Sequence, residues 1–93
     1  MQEQSFKPSQ EMTFATVVSD RERLNNYVRE TKEKLIKLDL SEVAQCDSAG
    51  LALLIEAKRL SARENKMCKI DGMPKIVQAL AEFCGVDAIL SEC

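Results

Sequence analysis

LDLSEVAQCDSAGLALLIEAKRL, residues Leu38–Leu60, decides the fold. It begins at the end of an alternating run, Leu35–Leu40. There Ile36, Leu38 and Leu40 point one way, while Leu35, Lys37 and Asp39 point the other. That period of two predicts a strand with one buried face. Ser41–Asp47 reads as a loop. Ser48-Ala49-Gly50 then opens a helix that runs to about Glu64. The first turn of a helix has free N–H groups and a partial positive charge. Ser48 suits the N-cap there, unless Asp47 takes the cap and leaves Ser48 just inside the helix. The same hydroxyl is placed to carry a phosphate, whose charge the helix end stabilises. Gly50 lets another chain approach the backbone closely.

The helix itself is unusually apolar. Leu53, Ala57 and Leu60 form one stripe; Leu51, Ile55 and Ala62, with Leu54 beside them, form a second on the other side. Charge is crowded into the arc of Glu56, Arg59 and Arg63. A helix covered on one side usually shows a single stripe. Two stripes mean either that neighbouring elements cover both, or that one packs on the sheet and the other meets another protein. Leu54 and Lys58 lie at the border between these readings.

Working outward, Glu11–Val18 reads as a strand on its β-branched and aromatic content. A shorter strand at Ser5–Lys7, ended by Pro8, would pair with it as a hairpin. Ser19 and Glu22 match a capping box and predict a helix with Leu24, Tyr27, Val28 and Thr31 inward. Asp20–Arg23 is then its exposed first turn. Met67–Ile70 reads as a strand with Cys68 and Ile70 inward, followed by an Asp71-Gly72 turn. Pro74 suits the first turn of a last helix with the stripe Met73, Ile76, Val77, Leu80, Phe83 and Cys84. Gly85 supplies its left-handed stop. Val86–Leu90 is an edge strand or a final helical turn. The order β-β-α-β-α-β-α predicts one α/β domain over residues 1–93, with parallel crossovers and an antiparallel hairpin making a mixed sheet.

Composition narrows the function. The chain has 93 residues, with 45% hydrophobic and 30% charged, which is ordinary globular content. A formal charge of −2, four aromatics and no Trp argue against a nucleic-acid-binding face. With no histidine, a Ser-His-Asp triad, a Cys-His dyad and a His-ligated metal site are excluded. The cysteines, Cys46, Cys68, Cys84 and Cys93, form no C-x-x-C pair, so no metal site is expected. They read as free thiols, with Cys68 and Cys84 in the core. Met1–Gln10 is polar and has no signal core, so a cytoplasmic setting is expected. The carboxylates Asp39, Glu42, Asp47 and Asp71 read as solvated or capping groups. No enzyme chemistry and no cofactor are expected.

One pattern in the opening stretch is familiar. Leu35-Ile36-Lys37-Leu38-Asp39-Leu40-Ser41-Glu42-Val43, followed by Asp47-Ser48-Ala49-Gly50-Leu51-Ala52-Leu53-Leu54, resembles the STAS domain family. The resemblance implies a mixed sheet with helices packed mainly on one face. In anti-sigma-factor antagonists of that family a kinase phosphorylates the serine of Asp-Ser-x-Gly, which would be Ser48 here. In the MlaB branch a free-standing domain binds the ATPase subunit of an ABC transporter that moves phospholipids in Gram-negative bacteria. The run Gly50–Leu54 resembles that branch. Switch-type members commonly carry Gly-Glu-Leu-Asp before the first helix, where this chain has Val18-Ser19-Asp20-Arg21. The resemblance therefore implies a non-catalytic subunit that reaches the inner membrane only through its ATPase partner. Its expected contacts are Asp47, Ser48, Ala49, Gly50, Leu51, Leu54, Ile55 and Lys58.

Overall fold

The alternation along Leu35–Asp39 does produce a buried strand, and everything else is arranged about it. A computed structural model describes residues 5–91. The elements are β1 (Glu11–Met12), α1 (Val17–Glu30), β2 (Leu35–Asp39), β3 (Gln45–Cys46), α2 (Ser48–Arg63), β4 (Met67–Asp71), α3 (Lys75–Cys84) and α4 (Asp87–Ser91). This is the α/β class expected from the sequence. β2 pairs parallel to β4, with Ile36 opposite Cys68 and Leu38 opposite Ile70. On its other edge β2 meets Phe6. The Phe6 N–H donates to Lys37 O at 2.8 Å, and the Asp39 N–H donates to Phe6 O at 2.9 Å. A second small sheet pairs β1 parallel to β3.

The N-terminal hairpin does not form. Phe6 bridges β2 in parallel, and β1 ends at Met12. The chain turns over residues 13–16 because threonine side chains take the backbone bonds a strand would use. Thr16 Oγ1 accepts from the Thr13 N–H at 3.1 Å, and the N–H groups of Thr16 and Val17 donate to Thr13 O. Val17 and Val18, read as strand residues, therefore open α1. The capping box is also absent: Ser19 lies inside the helix, and Thr16 occupies the N-cap. β3, inside the stretch read as a loop, is held by N–H groups of Ala44 and Gln45 on Gln10 O.

Asp20 corrects a further expectation. It is buried, not part of an exposed turn. Its carboxylate accepts from the Ser9 N–H at 3.1 Å, Ser9 Oγ at 2.7 Å and Arg23 Nη2 at 2.9 Å. Arg23 also donates to Lys7 O and sits 4.9 Å over the Phe6 ring. Residues 6–9 are thereby strapped to α1. At the other end of α1, Lys66 Nζ donates to Val28 O and Thr31 O, closing free carbonyls.

The inner part of each stripe of α2 is covered from within the chain, while Ile55 and Leu60 stay partly exposed and Ala62 is exposed. Leu51, Leu53, Leu54 and Ala57 are all buried. α2 packs against α1, α3, α4, β1, β3 and β4. In α3 the buried pair is Val77 and Ala81, and Ile76, Phe83 and Cys84 are exposed. Cys84 is thus a surface thiol, whereas Cys68 is in the core as expected. Gly85 ends α3 at φ 76°, and the following residues form α4, so the tail is helical. Among the described residues no helix is long and apolar enough to cross a membrane.

Candidate functional site

The entrance to α2 is organised by Asp47. One carboxylate oxygen accepts from the N–H groups of Ala49 at 2.9 Å and Gly50 at 3.1 Å. The other accepts from the Phe14 N–H at 3.1 Å. Asp47 is therefore the N-cap, and Ser48 is the first helical residue. A carboxylate has two oxygens and accepts all three bonds, capping the helix while also holding the turn before α1; a serine hydroxyl has lone pairs for only two. The Gly50 and Phe14 N–H groups, with smaller help from Ala49, hold the Asp47 carboxyl below the usual carboxylate range.

Gly50 sits against the backbone of β1. A Cβ there would overlap the Met12 carbonyl oxygen. The close approach foreseen for Gly50 is thus made by the chain's own first strand. The structure separates the expected contact residues by depth. Ser48 is exposed; Asp47, Ala49, Ile55 and Lys58 are partly exposed. Gly50, Leu51 and Leu54 lie in the interior, so a partner cannot reach them. Their apolar character serves the core. Lys58 Nζ donates to Cys68 O at 3.1 Å.

Sequence reasoning missed the residues on the α1 side of this entrance. Phe14 is 78% exposed and Val18 is 70% exposed. Both fell inside the run read as a strand. Thr13 and Thr16, three residues apart, are the trace of the turn that exposes them. Between the two helices a hollow of about 300 Å³ is lined by Val17, Arg21, Ala49, Ala52, Leu53 and Glu56. Arg21 and Arg59 both pair with Glu56, at 3.3 Å and 2.6 Å.

The Cys46 thiol beside this entrance is pushed up to about 11 by burial and by the Asp47 charge. It stays protonated at neutral pH and is a poor nucleophile. Among the described residues no three His, Cys, Asp or Glu side chains are grouped to hold a metal ion.

Fold and site define a small α/β domain in which two of the exposed apolar side chains, Phe14 and Val18, stand beside a capped helix entrance. A family model described as "Mlab, STAS domain" matches residues 9–91, and the chain belongs to the STAS domain family. Comparison with curated proteins gives no match.

Proposed function

We propose that this chain is a non-catalytic interaction subunit that docks on the cytoplasmic ATPase of a phospholipid ABC transporter of the Mla type. The docking face consists of Phe14, Val18, Ser48, Ala49 and Ala52, continuing along α2 to Ile55 and Lys58. The observation that carries this reading is the pairing of exposed Phe14 and Val18 with exposed Ser48 around one capped helix entrance. Large apolar side chains held in water by a rigid cap fit the anchors of a protein interface. The MlaB description of the matching family supports the choice of partner.

The test is quantitative binding to the ABC ATPase subunit of the same organism. Wild type is expected to bind. Ala52→Glu and Ser48→Glu are expected to lose at least about tenfold in affinity, since each places a charge in the contact. Neither change disturbs the core, since Ser48 and Ala52 are both exposed, and a carboxylate at position 48 suits the helix end, so melting temperatures stay near wild type. Undiminished binding by both variants, or none by wild type, overturns the reading. The exposed Ser48 hydroxyl favours a second reading, in which a kinase phosphorylates it to release a partner. Intact-mass analysis after incubation with cell extract and ATP tests it: a species heavier by one phosphoryl group, mapped to Ser48, supports the switch, and its absence removes it.

A further inference from the structure

The hollow beside the α2 entrance continues along the two helices. Beyond Arg21 and Glu56, which belong to both parts, it opens into a second hollow of about 270 Å³ edged by Asn25, Arg29, Leu60, Arg63 and Glu64. The two helices therefore run side by side with their starts at the same end. The trough between them is apolar at that end and charged at the other. Its charges are unevenly used. Glu56 is bridged by both Arg21 and Arg59. The guanidinium groups of Arg29 and Arg63 make no hydrogen bond or ion pair among the described residues. Two uncommitted guanidiniums thus face the single remaining carboxylate, Glu64. The far end of the trough is positive in a chain whose formal charge is −2.

We infer that the partner's docking element is acidic: it seats an apolar side chain between Val17, Ala49 and Ala52, and sets carboxylates against Arg29 and Arg63. This rests on the proposal that the face binds a protein. Charge complementarity carries it. Arginine presents a planar fork that matches a carboxylate with two parallel hydrogen bonds, and arginine is enriched at interfaces. Length gives a second constraint. Ala52 to Arg63 spans 11 residues of α2, so the anchor and the arginines are about 16 Å apart at roughly 1.5 Å per residue. An extended partner segment covers that in about 5 residues, and a helical one in about 11. The carboxylates follow, or precede, the apolar anchor at that spacing.

The experiment compares the full chain with an Arg29→Glu/Arg63→Glu double variant and an Arg29→Gln/Arg63→Gln double variant. Each is titrated with the ATPase subunit between about 50 mM and about 300 mM salt. Wild-type affinity falls as salt rises. The glutamate variant loses at least about tenfold at low salt, the glutamine variant loses less, and both show a flatter salt dependence. Thermal melts report folding of both variants, and the glutamine pair keeps the side-chain bulk. If wild type binds and Ala52→Glu abolishes binding, yet both arginine variants match wild type in affinity and salt slope, this inference falls and the docking face stands. If wild type does not bind at all, both fall.

Discussion

The Asp47 carboxylate ties three N–H groups from two segments, the helix start at Ala49 and Gly50 and the turn at Phe14. Each bond favours the charged form, so its carboxyl titrates below the ordinary 3.8. The sign follows from linkage. A depressed carboxylate contributes stability that is complete above its unfolded value and is lost as pH falls through the folded one. The entrance to α2 should therefore hold at neutral pH and loosen only below about pH 4. Replacing Asp47 with Asn should remove part of that acid dependence, read from denaturant midpoints across the acid range. Asp39, lowered by the Ser41 hydroxyl and N–H, contributes in the same direction and should remain in the variant. Gly50 is the other residue whose identity is forced. Gly50→Ala drives a methyl into the Met12 carbonyl. A loss of about 3 kcal/mol is expected from this overpacking, measured by urea unfolding. A stable Gly50→Ala would show that β1 can move away from α2.

At the scale of elements, α1 shows how local propensity yields to context. Thr13–Val18 has the composition of a strand, but its partner β3 is two residues long and offers no ladder beyond Met12. The threonine hydroxyls supply the alternative bonds, and the valines enter a helix instead. What keeps that helix in place lies far away in sequence. Lys66, 35 residues past Thr31, donates to the last carbonyls of α1 at 2.6 and 2.8 Å. Lys66→Met should keep the aliphatic stem and lose these charged hydrogen bonds, costing about 2 kcal/mol. Hydrogen exchange should rise first at the C-terminal end of α1. Unchanged protection there would assign the stability of this end to packing alone.

For the molecule as a whole, α2 is the central helix, touched by six other elements. Interior and surface residues lie close together along the helices, and their predicted costs differ accordingly. Leu54 is 1% exposed, and Leu54→Ala should destabilise by about 3 kcal/mol through the cavity it leaves. Phe83, on α3, is 89% exposed, and Phe83→Ser should stay within about 0.5 kcal/mol of wild type. Chemical denaturation of both variants checks the pair. A large loss from Phe83→Ser would mean that the α3 surface is covered in solution.

The alternation at Leu35–Leu40, the parallel strand at Met67–Ile70 (one residue short of the observed β4), the helix from Ser48 and the left-handed stop at Gly85 were all legible in the sequence. Apart from the pairing of the two strands, which follows from the alternation of strands with helices along the chain, each depends on interactions within a few residues: side-chain period, capping chemistry or a positive φ. The Asp-Ser-x-Gly pattern likewise marks the helix entrance through residue types and spacing alone. Which oxygen caps that helix, which of its leucines are reachable, and which residues stand beside it were decided only by the tertiary structure. Phe14 and Asp47 are 33 residues apart, and Gly50 meets Met12 across 38. Contacts at that separation leave no period in a sequence, because they depend on where the whole chain packs and not on its local conformation.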